Sequence, residues 1–454
     1  MRFRVDVDEL LAGLKLSMAA VGKSTTVPVL GYVLIEARKK KVVLSCTNLD
    51  QRMDVNVDCD VEKVGAICVQ ARMLKAILEK ESGVVRVSKG RGERCALTTE
   101  TGKYDVIGLG SEEFPDPVRE SRSVVKVRCS MLKNLFGRVQ HAMSDDDTRY
   151  VLNGVYLKVT DRVTTIAADG RRLAYATSDC SADNVLLSAI VPAVAVKILT
   201  KSLPDVESDV SLEFGADSIV VNARVFRVWS KVVDGDYPAV MTLIPDYSGG
   251  EGESILYVKR EELIKAILKA RIMTGEKCEG VRVVHTQKGI GVCSQNPDRG
   301  NAAVMLQTGK VADPSALAVN PEYMLDLLSV LFEDEIQVEW RANEPVLIKE
   351  ADFLGLFMPL RDVGAKDAEK AAVCFEGFEE EKEEETDGTE AEEEGLVERA
   401  KAVLKDTGRA TVTGLRRRLQ LSSEEAVALM ETLESEGIVG PAEGNKAREI
   451  LIEL

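Results

Sequence analysis

Gly22-Lys23-Ser24-Thr25 has the residue types that end a phosphate-binding loop, in which backbone amides and a lysine ammonium hold a nucleotide's phosphates. The full pattern also needs a glycine five positions before Gly22, a strand before the loop and a helix after it. Here Ser17 stands in that place, a helix-like stretch from Asp8 to Met18 precedes, and a β-like stretch with Pro28 follows, so no nucleotide site is expected. Asp145-Asp146-Asp147 gathers carboxylates that could hold a cation, but no calcium-loop spacing follows, and the run reads as a loop tip between helix and strand. The nine cysteines (Cys46, Cys59, Cys68, Cys95, Cys129, Cys180, Cys278, Cys293, Cys374) never form Cys-x-x-Cys, and His141 and His285 are the only histidines. A structural zinc site is therefore not expected, and the thiols read as reduced, small buried side chains. With no serine elbow, no zinc-protease motif and no paired acids in an apolar pocket, the expectation is a protein that is not an enzyme and needs no metal or cofactor.

The elements that would carry any site repeat three times. Phe3-Arg4-Val5 through Leu11, Val125-Lys126-Val127 through Leu132, and Leu256-Tyr257-Val258 through Ile264 are each a short alternating strand entering an amphipathic helix, with Leu10, Leu132 and Leu263 equivalent. The successive spacings are 122 and 131 residues. A second register agrees: the segments starting at Val69, Val191 and Val319 each leave a strand and open a helix, spaced by 122 and 128. A period this long exceeds a solenoid unit and predicts three tandem copies of one small α+β domain. Their expected limits are 1–123, 124–252 and 253–361.

Charge is sorted along the chain. Of the formal −16, residues 362–395 contribute −12, residues 396–454 contribute −1 and residues 1–361 only −3. The run around Glu379 to Glu394 cannot bury enough apolar surface to fold and is expected to be a disordered, self-repelling spacer. Within the copies, predicted helices carry Arg72 and Lys75, Lys133 and Arg138, Lys197 and Lys201, and Lys265 and Lys269. On any one helix these would be a solvated face, but their recurrence across the copies suggests a basic surface toward a phosphate backbone. No apolar run approaches a membrane span, since Ala189 to Val196 ends at Lys197, and Asp6, Asp8 and Glu9 stand where a signal peptide would be apolar. A cytoplasmic location without a membrane partner is expected.

Several motifs carry a family likeness. They are Glu113-Phe114-Pro115, Arg149 to Val155, Ala168-Asp169-Gly170-Arg171-Arg172-Leu173-Ala174, Asp236-Tyr237-Pro238 with Leu243-Ile244-Pro245, and Phe357-Met358-Pro359-Leu360-Arg361. In this order and spacing, residues 1–361 resemble the bacterial sliding clamp, the beta subunit of DNA polymerase III. The resemblance implies a homodimeric ring of six domains around duplex DNA, bound without regard to sequence, that keeps the polymerase and the clamp loader engaged. It places backbone contacts at Lys23, Arg149 and Tyr150. It implies a pocket for clamp-binding peptides at Leu152, Gly170, Arg171, Arg172, Leu173, Pro238, Leu243, Leu356, Met358, Pro359, Leu360 and Arg361, and a subunit joint at Tyr104, Ile272, Met273 and Asp298.

The chain continues past Arg361 by about ninety residues. Leu396 to Lys405 reads as a helix, Thr413 as the cap of a helix from Leu415 to Leu419, and Ser422-Ser423-Glu424-Glu425 as a capping box opening a third helix that stops at Gly437. Ile438-Val439 and Glu449 to Ile452 read as a hairpin, so a winged helix is expected over 396–454. Arg416-Arg417-Arg418-Leu419 and the segment Gly437 to Glu449 resemble the DNA-reading gamma domain of the FtsK translocase. Glu424, Glu425 and Ala428 stand where that family has asparagine and arginine. Two roles stay open: a regulatory or partner-binding module, or a DNA-binding module using Arg416 to Arg418, Lys446 and Arg448.

Overall fold

In the computed structural model the described residues are 1–22, 27–116, 123–180, 186–247, 253–275, 280–286, 289–306, 310–311, 316–360, 400–401, 403–405, 410–419, 423–435, 437–441 and 448–451. They belong to two compact units, Met1–Glu369 and Lys370–Leu454.

The first unit contains the three expected copies in one order: strand, helix, strands, helix, three strands. The first has β1 (Arg2–Asp6), α1 (Val7–Ser17), β2 (Tyr32–Arg38), β3 (Lys41–Thr47), β4 (Gln51–Asp58), β5 (Asp60–Lys63), β6 (Gly65–Gln70), α2 (Ala71–Leu78), β7 (Val84–Lys89), β8 (Arg94–Thr98) and β9 (Lys103–Ile107). The second has β10 (Ser123–Arg128), α3 (Cys129–Val139), β11 (Gly154–Val159), β12 (Arg162–Ala168), β13 (Arg172–Asp179), β14 (Leu187–Pro192), α4 (Ala193–Ser202), β15 (Asp209–Phe214), β16 (Ser218–Asn222) and β17 (Phe226–Lys231). The third has β18 (Glu253–Lys259), α5 (Arg260–Ala270), β19 (Val281–Thr286), β20 (Gly289–Asn296), β21 (Gly300–Met305), β22 (Lys310–Val311), β23 (Leu317–Val319), α6 (Pro321–Ser329), β24 (Glu335–Arg341), β25 (Val346–Glu350) and β26 (Phe353–Phe357).

Period-two alternation forms the first strand, whose Phe3 and Val5 point inward while Arg2, Arg4 and Asp6 face out. Asp6 then ends the strand and caps α1, its carboxylate accepting from the amide of Asp8 at 2.9 Å. The equivalent Leu10, Leu132 and Leu263 are 1%, 0% and 0% exposed, so each copy plants the same leucine in its core. Gly13 lets α1 lie close on the sheet, because a Cβ there would strike Val57 and Leu44. In each copy the two helices pack together: α1 on α2, α3 on α4, α5 on α6.

Each copy carries two half-sheets, and half-sheets of neighbouring copies fuse. One fused sheet has the order β10-β15-β16-β17-β4-β3-β2-β6, and another the order β14-β11-β12-β13-β26-β25-β24-β18-β22. The seams are antiparallel, β17 on β4 (Phe226↔Val55 to Ser230↔Gln51) and β13 on β26 (Arg172↔Phe357 to Ala176↔Phe353). Two half-sheets stay unfused, β5-β1-β7-β8-β9 of the first copy and β21-β20-β19-β23 of the third. One buried apolar cluster runs through all three copies, from Met1 to Phe357.

In the second unit, residues 400–401 and 403–405 are helical, followed by α7 (Val412–Leu419) and α8 (Ser423–Ser435) around Leu404, Leu415, Met430 and Leu433. Thr411, not the expected Thr413, caps α7: its hydroxyl accepts from the Gly414 amide at 3.2 Å, because the helix begins one turn earlier than Leu415. After α8, Gly437 takes φ +73°, and the Ile438 amide reaches back to the Leu433 carbonyl at 2.9 Å, a glycine-terminated helix end. Val439 bridges Ile450, and the Leu451 amide donates to the Ile438 carbonyl at 2.9 Å, as the expected hairpin requires, while Ala410 ahead of α7 bridges Arg448. The acidic spacer, Ser422 and Lys446 lie outside them.

Candidate partner-peptide pocket and DNA-facing surface

The residues of the candidate pocket gather where the second copy's sheet meets the third. The turn between β12 and β13 is tied by Asp169, whose Oδ1 accepts from the amides of Arg171 at 2.8 Å and Arg172 at 2.9 Å. Gly170 at the tip has φ +87°, and a Cβ there would meet the Arg149 guanidinium. Past the turn, Leu173 pairs with Leu356 across the seam, and the Met358 amide donates to the Arg171 carbonyl at 2.8 Å, extending the ladder beyond β26. Leu360 is held in turn by the Ala318 carbonyl at 2.9 Å.

This seam floors an apolar cluster of Ile166, Ala168, Leu173, Val240, Tyr247, Leu347 and Leu356. Tyr237 stacks on Tyr156 with centroids 5.3 Å apart, and the Tyr247 hydroxyl donates to the Pro345 carbonyl at 2.5 Å. Burial raises the pKa of the Tyr247 phenol to about 12, so it stays a donor. Around the floor, large apolar side chains stand in solvent: Leu243 is 67% exposed, Met358 42% and Met241 41%. Pro238, Gly170 and Arg171 are also exposed, while Leu152, Pro359 and Leu360 are half-buried. A buried apolar floor with an exposed Leu and Met rim fits a hydrophobic anchor of a linear peptide.

The two arginines of the turn divide the work. Arg172 is committed within the protein: it pairs with Asp169 at 2.9 Å and with Asp326 of α6 at 2.7 Å, and its guanidinium lies 4.6 Å over the Tyr323 ring. It is a strut between copies, a role hidden from sequence because Asp326 is 154 residues away. Arg171 alone is left to solvent. Arg361 lies outside the described residues.

The basic helix residues fare unequally. Arg72, Lys197, Lys201, Lys265 and Lys269 are exposed, and Lys75 and Lys133 are half-buried. Arg138 is a correction: it is 8% exposed, ion-paired to Glu350 and sandwiched between the rings of Phe332 at 4.5 Å and Phe353 at 4.2 Å, so it cannot meet DNA. Arg149 is half-held, donating to the Asp169 carbonyl at 3.1 Å, whereas Tyr150 is 59% exposed. Lys23 lies outside the described residues. At the open edges, Ile272 is 68% exposed and Asp298 is exposed, Met273 is half-buried, and the Tyr104 hydroxyl donates to Glu81 at 2.5 Å.

Among the described residues no cluster of metal-binding side chains occurs, and no helix is long and apolar enough to cross a membrane. All seven described cysteines are free thiols, and burial raises the pKa of Cys46, Cys68 and Cys95 to about 12, which leaves them unreactive. Sequence reading missed Tyr156, Tyr237, Tyr247 and Leu347 of the pocket floor. Strand alternation could have found Tyr156, which stands opposite Ile166.

Three copies of one α+β unit, joined through continuous sheets with an apolar cluster at one seam, define a DNA-clamp protein. The sequence matches the N-terminal, central and C-terminal domains of the DNA polymerase III beta subunit over 1–117, 126–239 and 242–359, and the FtsK gamma domain over 391–453. It is 27% identical to the beta sliding clamp of Vibrio cholerae over 371 residues, covering 80% of this chain and 100% of that protein. Solved sliding clamps bound to griselimycin, from Bartonella birtlesii at 28% identity and Pseudomonas aeruginosa at 25%, each superpose with a TM-score of 0.74 over 80% of this chain and 100% of theirs. The chain belongs to the DNA polymerase III beta subunit family, the sliding clamps of bacterial replication, and adds a gamma-type domain to it.

Proposed function

We propose that residues 1–361 form half of a ring that encircles duplex DNA, slides without reading sequence, and holds the replicative polymerase and its loader through an apolar pocket, with no chemistry of its own. The observation that carries this is the pair of unfused half-sheets. β17 of the second copy seals on β4 of the first, and β26 of the third on β13 of the second. β9 occupies in the first copy the place of β17 and β26, and β21 occupies in the third the place of β4 and β13. A second chain placed head to tail would seal each β9 on the other's β21, leaving no open edge there. Exposed Lys197, Lys201, Lys265, Lys269 and Arg72 would then give the lining a sequence-independent attraction for phosphates. The protein loaded on nicked circular DNA should stay bound and leave when the circle is linearised; ATP hydrolysis lost in Lys23→Ala would overturn this.

For the second unit, we infer a winged helix that docks protein and does not read bases. Helix α8 in the reading position has four acidic residues and no basic one, and so repels phosphates. Arg448 is ion-paired to Glu434 with its side chain only 13% exposed, which withdraws one expected DNA contact. Arg417 on α7 remains exposed. Full-length protein and a chain ending at Asp362 should discriminate equally poorly between one duplex sequence and random DNA; a sequence preference present only in the full-length protein would refute the inference.

A further inference from the structure

The first strand of each copy lies at the same place in the fold, and in two copies its outer edge is covered. β5 pairs antiparallel with β1 (Arg2↔Lys63, Phe3↔Val61, Arg4↔Asp60), and β22 pairs antiparallel with β18 (Leu256↔Val311, Tyr257↔Lys310). Carried through the Leu10, Leu132 and Leu263 equivalence, the covered positions correspond to Val124, Val125 and Lys126 of β10. In the second copy β10 is bonded to β15 on one side and, among the described residues, to no strand on the other. A cavity of about 980 Å³ runs there, lined by Val124, Val125, Lys126, Met131, Asp179 and Phe332 among others. Val124 is 60% exposed and Phe332 66%, so the groove offers apolar surface beside backbone that no described strand pairs.

We propose that this groove binds an extended segment of a partner protein, added antiparallel to β10 as a further strand of the eight-stranded sheet. It is separate from the Leu173 and Met358 pocket and shares none of its residues. The covering strands in the other copies describe the chemistry of the occupant. Both set a valine, Val61 or Val311, opposite the buried inward residue that corresponds to Val125. In β5 the next residue, Glu62, pairs with Arg4 at 3.1 Å and Arg2 at 3.7 Å, and Lys126 stands in the place of Arg4. β22 shares the valine but has Lys310 before it, so the common element is the β-branched residue, and the exposed Lys126 of β10 selects the acidic flank that β5 carries. Backbone pairing supplies most of the affinity, the β-branched side chain and one ion pair the selectivity. In the second copy the connection at the place of β5 and β22 runs from Cys180 to Leu186, and residues 181–185 of it lie outside the described residues.

The test uses full-length protein and a fluorescein-labelled peptide of residues 58–64 with Cys59→Ser, the chain's own version of a covering strand. Saturable binding is expected, lost when the peptide carries Val61→Asp, a change that leaves the protein's folding untouched. Lys126→Glu should weaken binding by about threefold at low salt, the size of one exposed ion pair, and the difference should vanish at about 1 M salt, where screening reaches contact distance. Met358→Ala should leave it unchanged. No saturable binding up to roughly 1 mM peptide, equal binding of the Val61→Asp peptide, or loss of binding in Met358→Ala would each overturn the proposal, and a groove already filled by residues 181–185 gives the first of these results.

Discussion

Replacing Leu243 and Met358 together by alanine should cripple peptide docking and leave the fold alone. These side chains are 67% and 42% exposed, so a ligand that buries them gains what the free protein has not already taken. Full burial of a Leu or Met side chain contributes about 1.5–3 kcal/mol. Scaled by exposure, Leu243 offers about 1.0–2.0 kcal/mol and Met358 about 0.6–1.3 kcal/mol. The double variant should therefore lose about 1.6–3.3 kcal/mol, roughly 15- to 250-fold in Kd. Titrating a fluorescent peptide from the cognate polymerase's clamp-binding segment measures this, with thermal unfolding of the same samples as the control. Because neither side chain is buried in the free protein, Tm should hold within a degree or two. Unchanged affinity would refute the placement of the pocket, and a fall in Tm would refute the claim that the rim is idle before binding. Leu173→Ala is the contrasting case: at 4% exposure it should cost about 2–5 kcal/mol of stability whether or not a ligand is present.

Arg138→Met should destabilise by about 3–5 kcal/mol in denaturant titration, because Glu350 is left buried without its cation, and adding Glu350→Gln should recover much of the loss. Burial, with Arg172 nearby, lowers the pKa of His141 to about 4, so its neutral form stabilises fully above the unfolded value near 6.5, and about 2–3 kcal/mol should be lost as pH falls from there toward 4; His141→Gln should flatten that slope. Ile107→Asp with Ile272→Asp, at positions 69% and 68% exposed, should yield a folded monomer in sedimentation if the open edges form the subunit joint. Truncation after Asp362 should raise affinity for pocket peptides and lose that gain at high salt, if the acidic run after Asp362 acts through solvent on the exposed Arg171.

The repeat was legible because periodicity and burial are local properties. Leu10, Leu132 and Leu263 each follow an alternating strand by a fixed interval, and each is buried for that reason. Asp169 and Gly170 of the candidate pocket stand in a turn whose carboxylate-to-amide bonds and positive φ restrict residue type, which is why that segment keeps a recognisable motif. What stayed hidden was pairing across copies. Arg138 looks like any basic residue of an amphipathic helix, and only Glu350, 212 positions later, makes it a buried ion. Arg172 likewise acquires its role from Asp326 and Tyr323. Thr411 and Thr413 are equally competent caps by type, and the choice fell to where Leu415 must sit in a core shared with Met430 and Leu433.

The two fused seams have a kinetic meaning. β17 on β4 and β26 on β13 are each held within one polypeptide, so if either parts, its strands remain at the high effective concentration set by the tether and rejoin at once. A seam between β9 and β21 of separate chains is held only by the other such seam of the ring, and once both have parted, reclosure depends on how much protein is present. Dilution therefore acts on one kind of seam only. In a ring of two such chains the tethered seams reclose by themselves, so opening falls to the seams between β9 and β21, where no covalent chain joins the two sides.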